Sequence, residues 1–105
     1  MRIAKVIGTV TMNNPHPSMI GARLRLIVPL SLAELRDELS PGVPGVPPQA
    51  DEIVAWDDLG SGIGSLVAIS EGAEAAQPFR PNYKPIDVYI SAILDHVEID
   101  KNLLC

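Results

Sequence analysis

A chain of 105 residues is long enough for one domain with a modest hydrophobic core. Its formal net charge of -5 argues against a nucleic-acid backbone or an anionic membrane surface as the main partner. We expect a cytosolic protein, since no apolar run is long enough to span a bilayer and no signal-peptide core follows the N-terminus. The single cysteine, Cys105, excludes an intramolecular disulfide and a cysteine-rich zinc site.

Alternating apolar side chains predict two strands in the first third of the chain. Residues 2–11 alternate with period two, and Gly8 in the middle indicates a bend or bulge. A turn cluster with two prolines follows at 13–18, where His16 is predicted to be a solvated loop residue. Residues 22–28 predict a second, one-sided strand. Its apolar face is predicted to contain Leu24, Leu26 and Val28, and its outer face Arg23, Arg25 and Ile27.

A short helix is predicted over about 32–39. Ser31 and Glu34 have the spacing of a capping box, in which each side chain satisfies the backbone amide of the other. The proline- and glycine-rich residues that follow are predicted to form a loop, because proline cannot join a central strand.

The central feature of the sequence is the stretch at residues 57–64, with Gly60, Gly62 and Gly64 at alternate positions. Strands are predicted on either side, at 52–57 and 65–70. An extended conformation would put all three glycines on one side and allow close approach of a ligand, a strand or another subunit. The spacing does not match a dinucleotide fingerprint or a phosphate-binding loop. A glycine-rich turn or bulge in a β-sheet is therefore favoured.

The last third of the chain predicts one or two helical turns at 73–77 and a strand at about 86–97. Both faces of that strand are partly apolar, which is typical of a strand buried on both sides. The total of about five strands favours a small closed or nearly closed barrel of the OB type.

Candidate catalytic groups do not form a recognisable site in the sequence. Ser61 lies in Gly60-Ser61-Gly62, which is not a nucleophile elbow. Asp57 and Asp58 would face opposite sides of a strand and could not share a reaction centre. We therefore expect no enzyme activity, no metal and no cofactor.

Four stretches of the sequence resemble the vertex proteins of bacterial microcompartments, the family of small shell proteins from carboxysomes and from ethanolamine- and propanediol-type compartments. The stretches are Gly8-Thr9-Val10-Thr11, Asp57-Asp58-Leu59-Gly60-Ser61-Gly62-Ile63-Gly64, Ser70-Glu71-Gly72-Ala73-Glu74-Ala75-Ala76, and Pro85-Ile86-Asp87 followed by Ala92-Ile93-Leu94-Asp95. They span nearly the whole chain in the order that the family has them.

The resemblance implies a mainly β chain with a five-stranded OB-like barrel and one or two short helices, assembling as a cyclic pentamer at the corners of a polyhedral shell. It implies one vertex domain over 1–105, an insertion at about 31–51, a place in the shell in the cytoplasm, and hexameric and trimeric shell tiles as partners. Residues expected at a subunit interface or an axial pore are Asp57, Gly60, Ser61, Gly62, Gly64, Ile86 and Asp87. The alternatives are an OB-fold module that binds a small ligand or nucleic acid and, less favoured, a small enzyme.

Overall fold

The computed structural model describes residues 1–39, 50–81 and 84–100. Its strands are β1 (Arg2–Val10), β2 (Leu24–Pro29), β3 (Ile53–Trp56), β4 (Leu66–Glu71) and β5 (Val88–Ile93). One α-helix, α1 (Leu32–Leu39), and two 3₁₀ helices, Pro17–Met19 and Gly72–Phe79, lie between the described strands.

The five strands form a closed barrel in the order β1-β2-β3-β5-β4. All neighbours are antiparallel except β3 and β5, which are parallel. This is the strand order of an OB-type barrel, so the predicted fold is confirmed. Closure pairs the edge strands with each other and removes the free edges that favour aggregation.

Aliphatic side chains of modest size fill the barrel. The largest fully buried side chains of the apolar core are Val6, Ile27, Val67, Ile69 and Ile90, and smaller buried neighbours are Ala4, Ala55 and Val88. These residues come from all five strands, so each strand contributes to one continuous core.

A bulge in β1 confirms the bend predicted at Gly8. The register between β1 and β2 shifts between Val6 and Gly8, so that Val6 pairs with Ile27 and Gly8 with Leu26. A side chain at residue 8 would meet Leu26, since a Cβ atom there would lie 3.5 Å from the Leu26 Cβ. This distance is an ordinary van der Waals contact, so Gly8 marks the bulge through the change of register rather than through close approach of the strands.

The predicted division of β2 into an apolar and a basic face is wrong. Ile27, assigned to the outer face, is fully buried in the core, while Leu24 and Val28 on the opposite face are also buried. Because both faces of β2 are covered, its alternation does not identify the core side. Arg25 shares the side of Ile27 and extends toward the end of the barrel, where it meets a buried carboxylate.

Strand β5 is shorter than the predicted 86–97. Its partner β4 begins at Leu66, and the amide of Leu94 donates to the Leu66 carbonyl at 2.8 Å, directly after the last residue of β5. The ladder ends there because β4 has no earlier residue to pair with. Residues 94–97, the rest of the predicted strand, are not paired in a ladder within the described chain.

Helix α1 has the predicted bounds and the predicted capping box. The Ser31 amide donates to Glu34 Oε1 at 2.9 Å, and the Glu34 amide donates to Ser31 Oγ at 3.3 Å. Lys5 Nζ on β1 lies 2.8 Å from Glu38 Oε1, which ties the helix to the barrel.

The helical turns predicted at 73–77 belong to the longer 3₁₀ helix, Gly72–Phe79. The predicted loop at 40–49 and Cys105 lie outside the described residues.

Candidate functional site at the glycine loop

The connection from β3 to β4, residues 57–65, is called the glycine loop here, and it is built around the carboxylate of Asp57. This side chain is fully buried. Asp57 Oδ1 accepts from the amides of Leu59 and Gly60 at 3.0 and 3.1 Å. Its Oδ2 accepts from the amide and the hydroxyl of Ser61, both at 2.8 Å. One carboxylate therefore bonds to three amides and a hydroxyl of the loop.

Arg25 balances the buried negative charge. Its Nε donates to Asp57 Oδ2 at 3.0 Å, and its Nη1 donates to Thr9 Oγ1 at 3.0 Å. Burial by itself would raise the pKa of Asp57, but the bonds from Ser61, Arg25 and the loop amides outweigh it and hold the pKa below its usual value. The Asp57 carboxylate therefore stays charged at neutral pH, and its role in the protomer is structural.

The glycine loop is a turn, so its three glycines do not form the one-sided strip that an extended conformation would give. Gly60 and Gly64 have φ of +83° and +93°, whereas Gly62 is not in that region. The amides of Leu59, Gly60 and Ser61 can point at one carboxylate only if the backbone turns, which explains the left-handed Gly60. The favoured prediction of a glycine-rich turn is confirmed. The Gly64 amide donates to the Val6 carbonyl at 2.8 Å and fastens the loop to β1.

The outer surface of the glycine loop is glycine backbone with two aliphatic side chains. A Cβ atom at Gly60, Gly62 or Gly64 would have no atom of the described chain within 4 Å. Leu59 is 48% exposed and Ile63 is 75% exposed. The loop therefore offers close backbone approach together with apolar side chains.

The predicted interface residues divide into two groups. Asp57 and Ser61 are buried inside the protomer, and the three glycines are exposed at the same loop. Ile86 and Asp87 lie at the other end of β4, where the Gly72 amide donates to the Asp87 carbonyl at 2.8 Å. There they border a groove of about 1010 Å³ whose other lining residues are Gly72, Ala73, Ala76, Arg80, Pro81, Lys84 and Pro85.

Asp58, next to Asp57, has a separate role at the closure of the barrel. Its Oδ1 accepts from Trp56 Nε1 at 2.7 Å, and its Oδ2 accepts from the Tyr89 hydroxyl at 3.3 Å. Trp56 and Tyr89 form the ladder pair between β3 and β5. Phe79 packs edge-on against both, with ring centroids 4.7 and 5.5 Å apart.

Lys84 completes this aromatic cluster. Its Nζ lies 5.5 Å from the centroid of the Trp56 ring and 5.8 Å from that of Phe79, and it donates to the Ser18 carbonyl at 2.6 Å. Sequence reasoning missed this cluster because its members are far apart in the chain. The adjacent carboxylates of Asp57 and Asp58 were the one sequence feature that pointed to this region. Only the fold shows that each carboxylate has its own hydrogen-bond partners.

Within 1–39, 50–81 and 84–100, no group of three histidine, cysteine or acidic residues could hold a metal ion. In the same ranges, no helix is long and apolar enough to cross a membrane. Asp57 and Asp58, adjacent in the chain, bond to different partners.

Residues 1–95 match the family model described as ethanolamine utilisation protein EutN/carboxysome. The carboxysome shell vertex protein CcmL of Nostoc sp. is 33% identical over 104 residues, which cover 99% of this chain and 92% of CcmL. The microcompartment shell vertex protein PduN of Salmonella typhimurium is 34% identical over 95 residues, covering 90% of this chain and 96% of PduN.

Solved structures agree with these relatives. Gloeobacter violaceus CcmL superposes with a TM-score of 0.74 at 29% identity, covering 95% of this chain and 91% of that one. GrpN from Rhodospirillum rubrum, described as a pentameric microcompartment shell protein, superposes with a TM-score of 0.68 at 27% identity, covering 95% and 99%. The class defined by the barrel and these relatives is that of microcompartment shell proteins. The chain belongs to the EutN/CcmL family of shell vertex proteins.

Proposed function

We propose that this chain forms a homopentamer that occupies the vertices of a polyhedral bacterial microcompartment shell. The observation that supports this most directly is the match of nearly the whole barrel to GrpN, a pentameric shell protein. Flat hexagonal tiles cannot close a polyhedron, and pentamers at the corners supply the missing curvature. Hexameric and trimeric shell tiles are the proposed neighbours of the ring, and its role is structural rather than catalytic.

The glycine loop is the proposed subunit contact or the wall of an axial pore. A cyclic ring needs a heterologous interface, in which two different surfaces of the protomer meet. The exposed glycines, and Ile86 and Asp87 at the other end of β4, provide two such separate surfaces. Asp57 and Ser61 act from within the protomer, since both are buried.

The alternative of an OB-type module for nucleic acid or a small ligand has less support. Stacking on single-stranded nucleic acid requires exposed aromatic faces beside basic residues. The described aromatics instead pack edge-on against one another, and the chain carries a net charge of -5.

The test is the native mass of the purified protein, measured by native mass spectrometry and light scattering for the wild type and for Gly62→Val. A Cβ atom at this position would have no atom of the described chain within 4 Å, and Gly62 does not have a left-handed backbone, so we expect the variant protomer to fold. We expect a five-subunit wild type and a variant that fails to assemble.

Each result has a distinct meaning. A monomeric wild type would contradict the proposed function. A pentamer that tolerates Gly62→Val would keep the vertex function and remove the glycine loop from the contact. Co-production with hexameric and trimeric tiles then tests the vertex role itself, because shells lacking the pentamer should remain open at their corners in electron micrographs.

A further inference from the structure

We propose that the buried Asp57 carboxylate pre-forms the glycine loop within each protomer, and that Leu59 and Ile63 on this loop are the apolar contacts to a second copy of the chain. This inference rests on the proposed ring. It goes further by separating a positioning residue, Asp57, from the two contact residues.

The first observation is the exposure of Leu59 and Ile63. A single exposed aliphatic residue is ordinary on a protein surface. Here two of them, 48% and 75% exposed, stand within five residues on a loop whose backbone is bonded to β1. Ile7, itself 38% exposed, follows Val6, whose carbonyl accepts from the loop amide of Gly64. Apolar surface is therefore concentrated where the loop meets the bulge of β1.

The second observation is that the loop holds its conformation without a partner. Asp57 accepts from three loop amides and from the Ser61 hydroxyl, and Gly62 donates to Ser65 Oγ at 3.1 Å. A surface that is already ordered loses less conformational entropy when it binds. The loop therefore presents its two aliphatic side chains in a fixed position before assembly.

The charge of the chain favours an apolar contact between copies. Each protomer carries -5, so the protomers of a ring repel one another through their net charge. Within the glycine loop Asp57 is buried and paired with Arg25, and the other charged residue, Asp58, is exposed and also negative. Burying Leu59 and Ile63 would supply an attraction between copies that does not depend on these charges.

The contact is tested by comparing Ile63→Ser with Ile20→Ser in dilution series analysed by native mass. Ile20 is a matched control, since it is 71% exposed and lies in the connection before β2. We expect Ile63→Ser and Leu59→Ser to raise the concentration at which the ring dissociates by about tenfold or more, as for a central apolar anchor of an interface. Ile20→Ser should match the wild type.

A ring of Ile63→Ser as stable to dilution as that of Ile20→Ser would overturn the contact while leaving the pentameric function intact. A wild type without any ring would overturn both, so the two failures are distinguishable.

The positioning role is tested with Asp57→Asn and the milder Ser61→Ala, which removes one hydroxyl donor from the carboxylate. Ring dissociation is measured under conditions where near-ultraviolet circular dichroism shows a folded protomer. We expect weakened rings for both variants, with the larger loss for Asp57→Asn. Folded variants with wild-type rings would contradict the positioning role. If Asp57→Asn does not fold, Ser61→Ala alone decides the outcome.

Discussion

At the scale of single residues, Asp57 shows how a buried charge can organise a loop. Isolated burial would neutralise a carboxylate, but five donor contacts, one of them from Arg25, keep this one ionised. The left-handed Gly60 follows from this arrangement, because its amide donates to the carboxylate and the backbone must turn around it. Asp57 and Gly60 therefore shape the loop together.

We expect Asp57→Asn to lower the free energy of unfolding at neutral pH by about 3 kcal/mol, as when a buried ion pair loses one partner. An asparagine NH₂ would also face donors that the carboxylate now accepts from. The pKa of Asp57 is lower in the folded protein than its usual value of 3.8. The unfolded chain therefore binds the proton more tightly, and the stabilisation is fully present above this value and is lost as the pH falls through the folded pKa.

Urea unfolding at a fixed protomer concentration measures this difference between wild type and variant. It should stay constant from about pH 5 to 7 and shrink below about pH 4. Asp51→Asn, which removes a carboxylate from an exposed position, is the matched control. A wild-type advantage that persists undiminished in acid would contradict the assigned role of the charge.

At the scale of elements, the barrel is least extensively paired between β3 and β5. Their parallel ladder consists of the pair Trp56 and Tyr89, while the other neighbours share four or more ladder positions. Asp58 bonds to both side chains of that pair, and Phe79 packs against both rings. Side chains thus reinforce a closure that few ladder positions support.

We expect Asp58→Ala to reduce the free energy of unfolding by about 1–2 kcal/mol, since it removes two hydrogen bonds worth about 0.5–1.5 kcal/mol each. Burial, followed by the charge of Asp58 and the hydrogen bond to it, raises the pKa of Tyr89. In Asp58→Ala this pKa should fall but stay above its usual value, because burial remains. Phenolate absorbance during alkaline titration measures the change, and Tyr89→Phe identifies the contributing ring. An unchanged titration would rule out the Asp58 contact.

At the scale of the whole molecule, a ring of acidic protomers must overcome like-charge repulsion. The net charge of -5 is the same for every copy, and screening by salt weakens the repulsion. Apolar contacts such as those proposed for Leu59 and Ile63 are not weakened by moderate salt. Assembly should therefore respond to salt in a direction that reports which force dominates.

We expect the ring to resist dilution better at about 0.15 M than at about 0.01 M ionic strength, where the Debye length is about 8 Å and about 30 Å respectively. Sedimentation velocity over a dilution series at both ionic strengths measures this effect. Rings that dissociate more readily at the higher ionic strength would indicate that ion pairs between subunits dominate the interface.

The sequence by itself determined the number and order of the strands, the approximate bounds of the first four, the capped helix and the family. Period-two alternation, turn residues and the spacing of Ser31 and Glu34 are local signals, and local signals are readable along the chain. The motifs that resemble vertex proteins were likewise readable, because they occur along the chain in the order that the family has them.

Only the tertiary structure decided which face of β2 is inside, where β5 ends and what the central glycines do. Ile27 is buried because both faces of β2 are covered, and β5 stops where β4 begins. The partner of Asp57 is Arg25, 32 positions away in the chain. Such pairings depend on barrel closure and strand register, which bring distant residues together and leave no periodic signal in the sequence.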